Sequence, residues 1–108
     1  MTPATFLDPA VAAVDRVIEA VRYDDLQPTD LSAVIAGLRE LFWHTTTLAG
    51  ALTRAYDTAS GVNHDNGDDP AVALTTIVAG LHGVAAQLAS IDTTLNETHR
   101  HAAHIFRR

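Results

Sequence analysis

The stretch PAVALTTIVAGLHGVAAQLASIDTTLNETHRHAAHI, residues 70–105, decides the fold of this chain. Its large apolar side chains recur at alternating steps of three and four residues, which places them on the face of a helix that packs along a second helix. That row consists of Leu74, Ile77, Leu81, Val84, Leu88, Ile91, Leu95, Thr98, Ala102 and Ile105. Since no proline follows Pro70, we predict one helix over residues 70–106, about 55 Å long at 1.5 Å per residue.

A second long helix precedes this one in the chain. Thr29 or Asp30 is a suitable N-cap and Gly61 is typical of the residue that follows a helix, so we predict a helix over residues 30–60. Its apolar row consists of Leu31, Val34, Leu38, Leu41, Thr45, Leu48, Leu52 and Ala55, with a flanking row of Ile35, Phe42, Ala49 and Tyr56. Because only a short polar segment joins the two helices, we expect an antiparallel hairpin.

The N-terminal helix is much shorter. Asp8-Pro9 combines an N-cap with a favourable first helical residue, and Pro28 ends the helical pattern, so we predict a helix over residues 9–23, about 22 Å long. The fold class is thus all-α in a single domain, residues 1–108, with a long antiparallel helical hairpin plus a shorter N-terminal helix. We expect a three-helix bundle completed by self-association, because the short helix cannot cover the whole hairpin.

Composition and charge restrict the classes of function. The chain has 108 residues, no cysteine and a net charge of −6. The lack of cysteine excludes disulfides and thiolate zinc sites within the chain, and the acidic balance argues against nucleic-acid binding, which depends on neutralising phosphates. All seven basic residues are Arg, which indicates GC-rich coding and predicts an actinobacterial source.

Two features predict a surface for a partner helix. Residues 70–91 contain no charged residue, and a helix that is apolar nearly all round is usually buried on several sides. Trp43 lies opposite the apolar row of its helix, where it is an anchor for a partner, an incidental surface residue, or a residue covered by the first helix. The predicted partner interface consists of Trp43, Ala36, Gly50, Val72, Ala79, Gly83 and Ala86. We expect no membrane span, since His82 and Gln87 interrupt the apolar stretch.

Two groups of residues have the chemistry of metal ligands. Glu97, His101 and His104 share one helix face, but a solvated helix end is the preferred explanation, since a metal site would need further ligands from elsewhere. The second group, in the polar turn, consists of His64, Asp65, Asp68 and Asp69. It lacks the spacing of a calcium-binding EF-hand loop. We therefore predict no metal site.

The C-terminal end of the chain is locally basic. Residues 1–69 carry eleven acidic residues against four Arg, a net charge of −7, whereas residues 70–108 carry two against three, a net charge of +1. The basic cluster consists of His99, Arg100, His101, His104, Arg107 and Arg108. In the hairpin we expect Asp24, Asp25 and Asp30 to face this cluster and partly neutralise it.

Arg39 and His44 form an R-x4-H string, which resembles the motif of the HEPN family of all-α ribonucleases. The resemblance covers these two residues and implies a catalytic pair at a dimer cleft. In that family the pair comes near a helix end, whereas here both residues lie inside the second helix. No Ser-His-Asp order, glycine-rich phosphate loop or pair of core carboxylates stands out, so we predict no enzymatic activity and no cofactor.

The length, the alanine-rich helices and the heptad hairpin are similar to the WXG100 (ESX) proteins, which actinobacteria secrete as helical pairs. That family has W-x-G in the hairpin turn and a Y-x-x-x-D/E secretion motif. Here Trp43 lies in mid-helix, the turn reads Gly61-Val62-Asn63-His64, and Tyr56 is followed four residues later by Ser60. The chain therefore lacks the residues that define the family.

These observations together predict a non-catalytic helical protein–protein interaction or oligomerisation module. Its partner would be a second copy, in a homodimer with a four-helix core, or another helical protein. The alternatives are a regulatory or nucleic-acid-associated protein that uses the basic cluster, and a WXG100-like secreted protein. Met1–Leu7 lacks the features of a signal peptide, so we expect a cytoplasmic protein, with secretion by another route left open.

Overall fold

A computed structural model describes residues 2–59, 61, 65–67 and 69–106. It consists of a short 3-10 helix, Pro3–Phe6, followed by α1, Leu7–Tyr23, α2, Pro28–Asp57, and α3, Pro70–Ala102. The described residues contain no strand, so the prediction of an all-α chain with two long helices and one short helix is confirmed.

Local side-chain chemistry explains where the helices begin. The carboxylate of Asp69 accepts a hydrogen bond from the backbone N–H of Ala71 at 3.0 Å, which confirms Asp69 as the N-cap of α3. At the start of α2, Gln27 rather than Thr29 or Asp30 is the N-cap, and Asp30 accepts a hydrogen bond from the Gln27 N–H at 3.1 Å. α1 begins at Leu7, ahead of Asp8, because the 3-10 helix runs directly into it.

The two long helices pack against each other in antiparallel directions. Near the turn, Tyr56 and Asp57 line a common cavity with Ala71 and Leu74. About twenty residues further from the turn, the Arg39 guanidinium of α2 lies beside Asp92 of α3. The expected hairpin is therefore present, with residue numbers rising along one helix as they fall along the other.

The buried seam of the hairpin differs from the predicted one. Its buried and half-buried residues are Pro28, Ser32, Val34, Ile35, Arg39, Phe42, Thr46, Ala49 and Thr53 on α2, and Pro70, Ala73, Leu74, Val78, Leu81, Ala85, Leu88, Asp92, Leu95, His99 and Ala102 on α3. Among the described residues only Ala49 and Leu88 are buried, with 4% and 7% of their surface exposed. The flanking row of α2, with Ile35, Phe42 and Ala49, thus takes the place of the leucine row.

The physical reason for this shift is the size of the side chains. Each long helix carries two adjacent apolar rows, and heptad spacing fits either of them equally well. The seam includes Thr46, Ala49 and Ala85, whose small side chains let the two helix axes approach closely. On α3 the leucines of the predicted row are in the seam, but Ile77, Val84 and Ile91 lie outside it.

α1 does not pack onto the hairpin. α1 packs instead against the preceding 3-10 helix. Every residue of α1 except Ala20 is exposed. The Cα radius of gyration is 18.7 Å, whereas a compact chain of this length has a radius of about 13 Å. The described residues of a single chain therefore form a two-helix hairpin with a separate arm, and the three-helix bundle predicted from the sequence is not formed.

Candidate protein-interaction surfaces

An apolar surface runs along one side of the hairpin, and we call it the aliphatic groove. Its residues are Leu31, Leu38, Leu41, Leu48, Leu52, Ile77, Val84 and Ile91. Each of them directly precedes a buried or half-buried residue of its helix, as Leu48 precedes Ala49 and Val84 precedes Ala85. One residue is a rotation of about 100° around a helix, and in antiparallel helices this rotation turns both rows to the same side of the pair. The two rows therefore form one continuous surface.

The side chains of the aliphatic groove are incompletely covered. Their exposed fractions lie between 36% for Ile77 and 44% for Leu48 and Val84. Single exposed leucines are common on protein surfaces, but a contiguous set of eight large aliphatic residues is the kind of patch that marks a binding surface. A partner that covers the aliphatic groove would remove these apolar side chains from water.

A second apolar surface lies on α1, and we call it the valine face. It consists of Val11, Val14, Val17, Ile18 and Val21, all of them exposed. Charged residues occupy the other side of the helix, among them Asp15, Glu19 and Arg22. A helix of 17 residues is only marginally stable in water on its own, and most of the stability of such a helix comes from packing its apolar face. The valine face therefore also requires a cover.

The seven residues of the interface predicted from the sequence lie on the outer surfaces of the two long helices. Trp43, with Ala36 and Gly50 one heptad away on either side, lies on the side of α2 opposite the aliphatic groove. Ala79 and Ala86 directly follow the seam residues Val78 and Ala85, so the same rotation turns them to the side of the hairpin on which Trp43 lies. Val72 and Gly83 are two residues from a seam residue and lie on the side of α3 that faces away from α2. All seven are exposed. The leucine row, which the sequence assigned to the hairpin seam, is the surface that sequence reasoning missed.

Trp43 lines a shallow open cavity of about 430 Å³ on the hairpin surface. Its ring meets the ring of His44 edge-on, with the two centroids 5.1 Å apart and the planes at 80°. The cavity lining consists of Ala36, Arg39, Glu40, Trp43, His44 and Asp92. α1 does not cover Trp43 within a single chain. The explanation in which the first helix buries this residue is therefore removed for the single chain.

Arg39 and Asp92 form a polar pair across the seam. The Arg39 Nε lies 3.5 Å from a carboxylate oxygen of Asp92, and this buried nitrogen has no hydrogen-bond partner, so the contact is an ion pair without a well-aligned hydrogen bond. A polar pair at a seam otherwise made of apolar and small residues specifies which residues face each other, because sliding one helix along the other separates the charges. The pair therefore favours this register of the hairpin.

We expect this pair to couple weakly in energy. About a third of the Arg39 side chain and 44% of the Asp92 side chain are exposed, so solvent screens the attraction. A double-mutant cycle with Arg39→Gln and Asp92→Asn, measured by urea unfolding, is expected to give a coupling energy of about 0.5 kcal/mol. A coupling energy of zero would contradict the proposed contribution of the pair to the register.

Arg39 and His44, the two residues of the R-x4-H string, contact different groups in this structure. Arg39 faces Asp92 on the other helix, while His44 Nε2 lies 3.9 Å from a carboxylate oxygen of Glu40 and its ring contacts Trp43. Both residues line the shallow cavity, and each lies beside a different carboxylate.

Near the end of α3 the carboxylate of Glu97 has two neighbours. It pairs with the Arg100 guanidinium, and His101 Nε2 lies 3.4 Å from the same oxygen. His104 lies beyond the last residue of α3, after the helical spacing has ended. Among the described residues no group of three or more His, Asp and Glu residues could hold a metal ion. His64 and Asp68 of the polar turn lie outside the described residues.

The expected contact between the basic cluster and the carboxylates near α2 stays a prediction. The antiparallel hairpin brings the end of α3 toward the start of α2, as the sequence predicted. Arg107 and Arg108 lie outside the described residues, and the Asp30 carboxylate accepts the Gln27 N–H. The described contact of Arg100 is with Glu97 on its own helix.

The glycines of the long helices do not serve packing within the hairpin. A methyl group added at Gly37, Gly50, Gly80 or Gly83 would meet no atom within 4 Å. Their open surroundings mean that any close helix approach at these positions would have to be to another chain.

Gly83→Ala therefore tests one of the surfaces predicted from the sequence. Since alanine restricts the unfolded chain and favours a helix, we expect the substitution to raise the free energy of unfolding by about 0.5–1 kcal/mol without changing the oligomeric state. Urea unfolding and light scattering would check both expectations. Loss of association would instead show that the outer side of α3 contacts a partner.

By length and composition, α3 could cross a membrane, and it is the one described helix of which this is true. Only 6% of its most apolar window is buried within the chain. Core helices of soluble assemblies have the same composition when a partner covers them. A lipid surface is therefore a second candidate to cover α3, and an experiment has to distinguish it from a protein partner.

Comparison with known proteins gives no match: no family model, no curated protein and no solved structure is similar to the chain.

Proposed function

We propose that this protein is a non-catalytic helical interaction module that associates with a second copy of itself, the simplest closed assembly being a twofold homodimer. The observation that carries the proposal is the aliphatic groove, in which five leucines of α2 and three branched aliphatic residues of α3 remain 36–44% exposed. Covering such side chains gains about 25 cal/mol for each Å² removed from water. A groove of this composition therefore favours association.

The total surface of the chain supports the same proposal. The chain exposes 8400 Å², whereas a compact monomer of 11.5 kDa exposes about 5,800 Å². The excess of about 2,600 Å² exceeds the roughly 800 Å² that each partner contributes to a protein–protein interface of standard size. An assembly of two chains can remove much of this excess.

The concentration dependence of thermal unfolding tests the proposal. If the folded chain is stabilised by a second copy, mass action raises the midpoint temperature as the protein concentration rises. We expect the midpoint temperature in far-UV circular dichroism melts to increase clearly between about 1 and 100 μM protein. This range brackets an ordinary dimer dissociation constant. A midpoint that is the same at all concentrations would contradict the proposal.

A lipid partner is the main competing outcome. The first 22 residues of α3 carry no charged residue, but the helix continues through Asp92 and Glu97, both with cationic neighbours in the chain. We expect the protein to remain in the supernatant when sedimented with vesicles of neutral phospholipid. Recovery in the vesicle pellet, with the helical content unchanged, would identify a lipid surface as the cover and contradict self-association.

A role for the basic cluster in nucleic-acid binding has less support. Arg100 already pairs with Glu97, and the chain as a whole carries a net charge of −6. Phosphate binding would have to break this pair and overcome the repulsion of the acidic residues. We therefore propose self-association and not nucleic-acid binding.

A further inference from the structure

The connection between α1 and α2 joins two helices that do not pack together. Asp24 and Gln27, the first and last residues of the link, are both extended, with ψ angles of 150° and 156°. Pro28 disfavours a helical conformation at Gln27, and the capping box with Asp30 fixes the first turn of α2. α1 packs against the preceding 3-10 helix and its valine face stays exposed, so this face is available to a second copy.

The valine face and the aliphatic groove match in length. α1 has 17 residues and is about 25 Å long. The leucines of the groove extend from Leu31 to Leu52, a distance of about 32 Å along α2. One α1 helix therefore covers most of one groove, and each chain contributes one of each. Both surfaces are made of branched aliphatic side chains, and the charged side of α1 would stay in water.

We infer that the two copies exchange their N-terminal arms, so that the valine face of each α1 lies in the aliphatic groove of the other copy. This inference rests on the proposed self-association and names the contact that produces it. The exchange is reciprocal and uses each surface once, so it closes as a twofold dimer. Each chain contributes the five residues of the valine face and the eight residues of the aliphatic groove, and the exchange covers both sets.

Site-directed cross-linking tests the exchange, and the chain has no cysteine of its own that could interfere. Val14 lies near the middle of α1 and Leu41 near the middle of the groove, so the pair is close whichever way α1 runs. Val14→Cys and Leu41→Cys would be made as separate single variants, mixed, unfolded in urea, refolded together and treated with a short bismaleimide. We expect a cross-linked product of dimer mass from the mixture and none from either variant alone.

Trp43→Cys serves as the matched control, because Trp43 lies on α2 close to Leu41 in sequence but on the opposite side of the helix. Mixed with Val14→Cys, it should give no cross-linked product. A product as abundant as that with Leu41→Cys would show that the reagent reports random collision, and it would overturn the inference.

Three further outcomes separate the inference from the proposed function. Cross-linking of Leu41→Cys to itself, with no species in the mixture that joins Val14→Cys to Leu41→Cys, would show that the grooves face each other and would overturn the exchange while leaving the dimer. A monomer-mass product in the Val14→Cys/Leu41→Cys double variant, with none from the mixture, would show that α1 covers its own groove. A monomer mass before cross-linking, by light scattering at the same concentration, would overturn both.

Discussion

Val84→Glu is expected to convert the dimer into monomers, whereas Val72→Glu leaves the dimer intact. Val84 lies in the aliphatic groove, and in a twofold assembly the substitution places two carboxylates in the interface. A charge buried without a partner costs several kcal/mol, so we expect the dissociation constant to rise at least about 100-fold. Sedimentation velocity over a concentration series would measure the change.

Val72 makes this comparison a matched one. It is the same residue type on the same helix, and with 65% of its surface exposed it is more open than Val84 at 44%. It lies on the side of α3 that faces away from α2, so a glutamate there stays in water. If Val72→Glu dissociates the protein and Val84→Glu does not, the interface predicted from the sequence is correct and the aliphatic groove is not the contact surface.

Leu88→Ala is expected to lower the free energy of unfolding by about 2–5 kcal/mol, the range measured for buried leucines. Leu88 is the most buried large side chain described, with 7% of its surface exposed. Since small domains are stabilised by about 5–15 kcal/mol in total, this loss could unfold much of the hairpin. Urea unfolding followed by circular dichroism would measure it.

Leu48→Ala provides the control for the position of the seam. Leu48 lies in the groove with 44% of its surface exposed, so in the monomer its truncation should cost about 1 kcal/mol. Both substitutions would be measured in the Val84→Glu background, where association no longer covers Leu48. Equal losses for the two leucines would contradict the observed seam and favour the one predicted from heptad spacing.

The sequence predicted those parts of the fold that depend on local chemistry. The cap at Asp69 and one row of α3, which includes Leu81 and Leu88, follow directly from capping preference and apolar periodicity. The choice between adjacent rows does not, because Leu48 and Ala49 both fit a heptad. The close packing of Ala49 selects between the two rows, and this packing depends on both helices together.

The aliphatic groove itself was not predicted from the sequence. The short α1 indicated that part of the hairpin would lack a cover, and the structure shows an uncovered face on it. Trp43 and the small residues of α3 drew attention to other faces, because the leucines had been assigned to the hairpin seam. Once the seam moves by one residue, those leucines become the exposed surface.

Sedimentation equilibrium of the purified chain tests the central claim most directly, because it gives the mass in solution without assuming a shape. The account predicts twice the chain mass of 11.5 kDa at micromolar concentration, with dissociation on dilution. A single species of 11.5 kDa that keeps its full helical content at every concentration would contradict it.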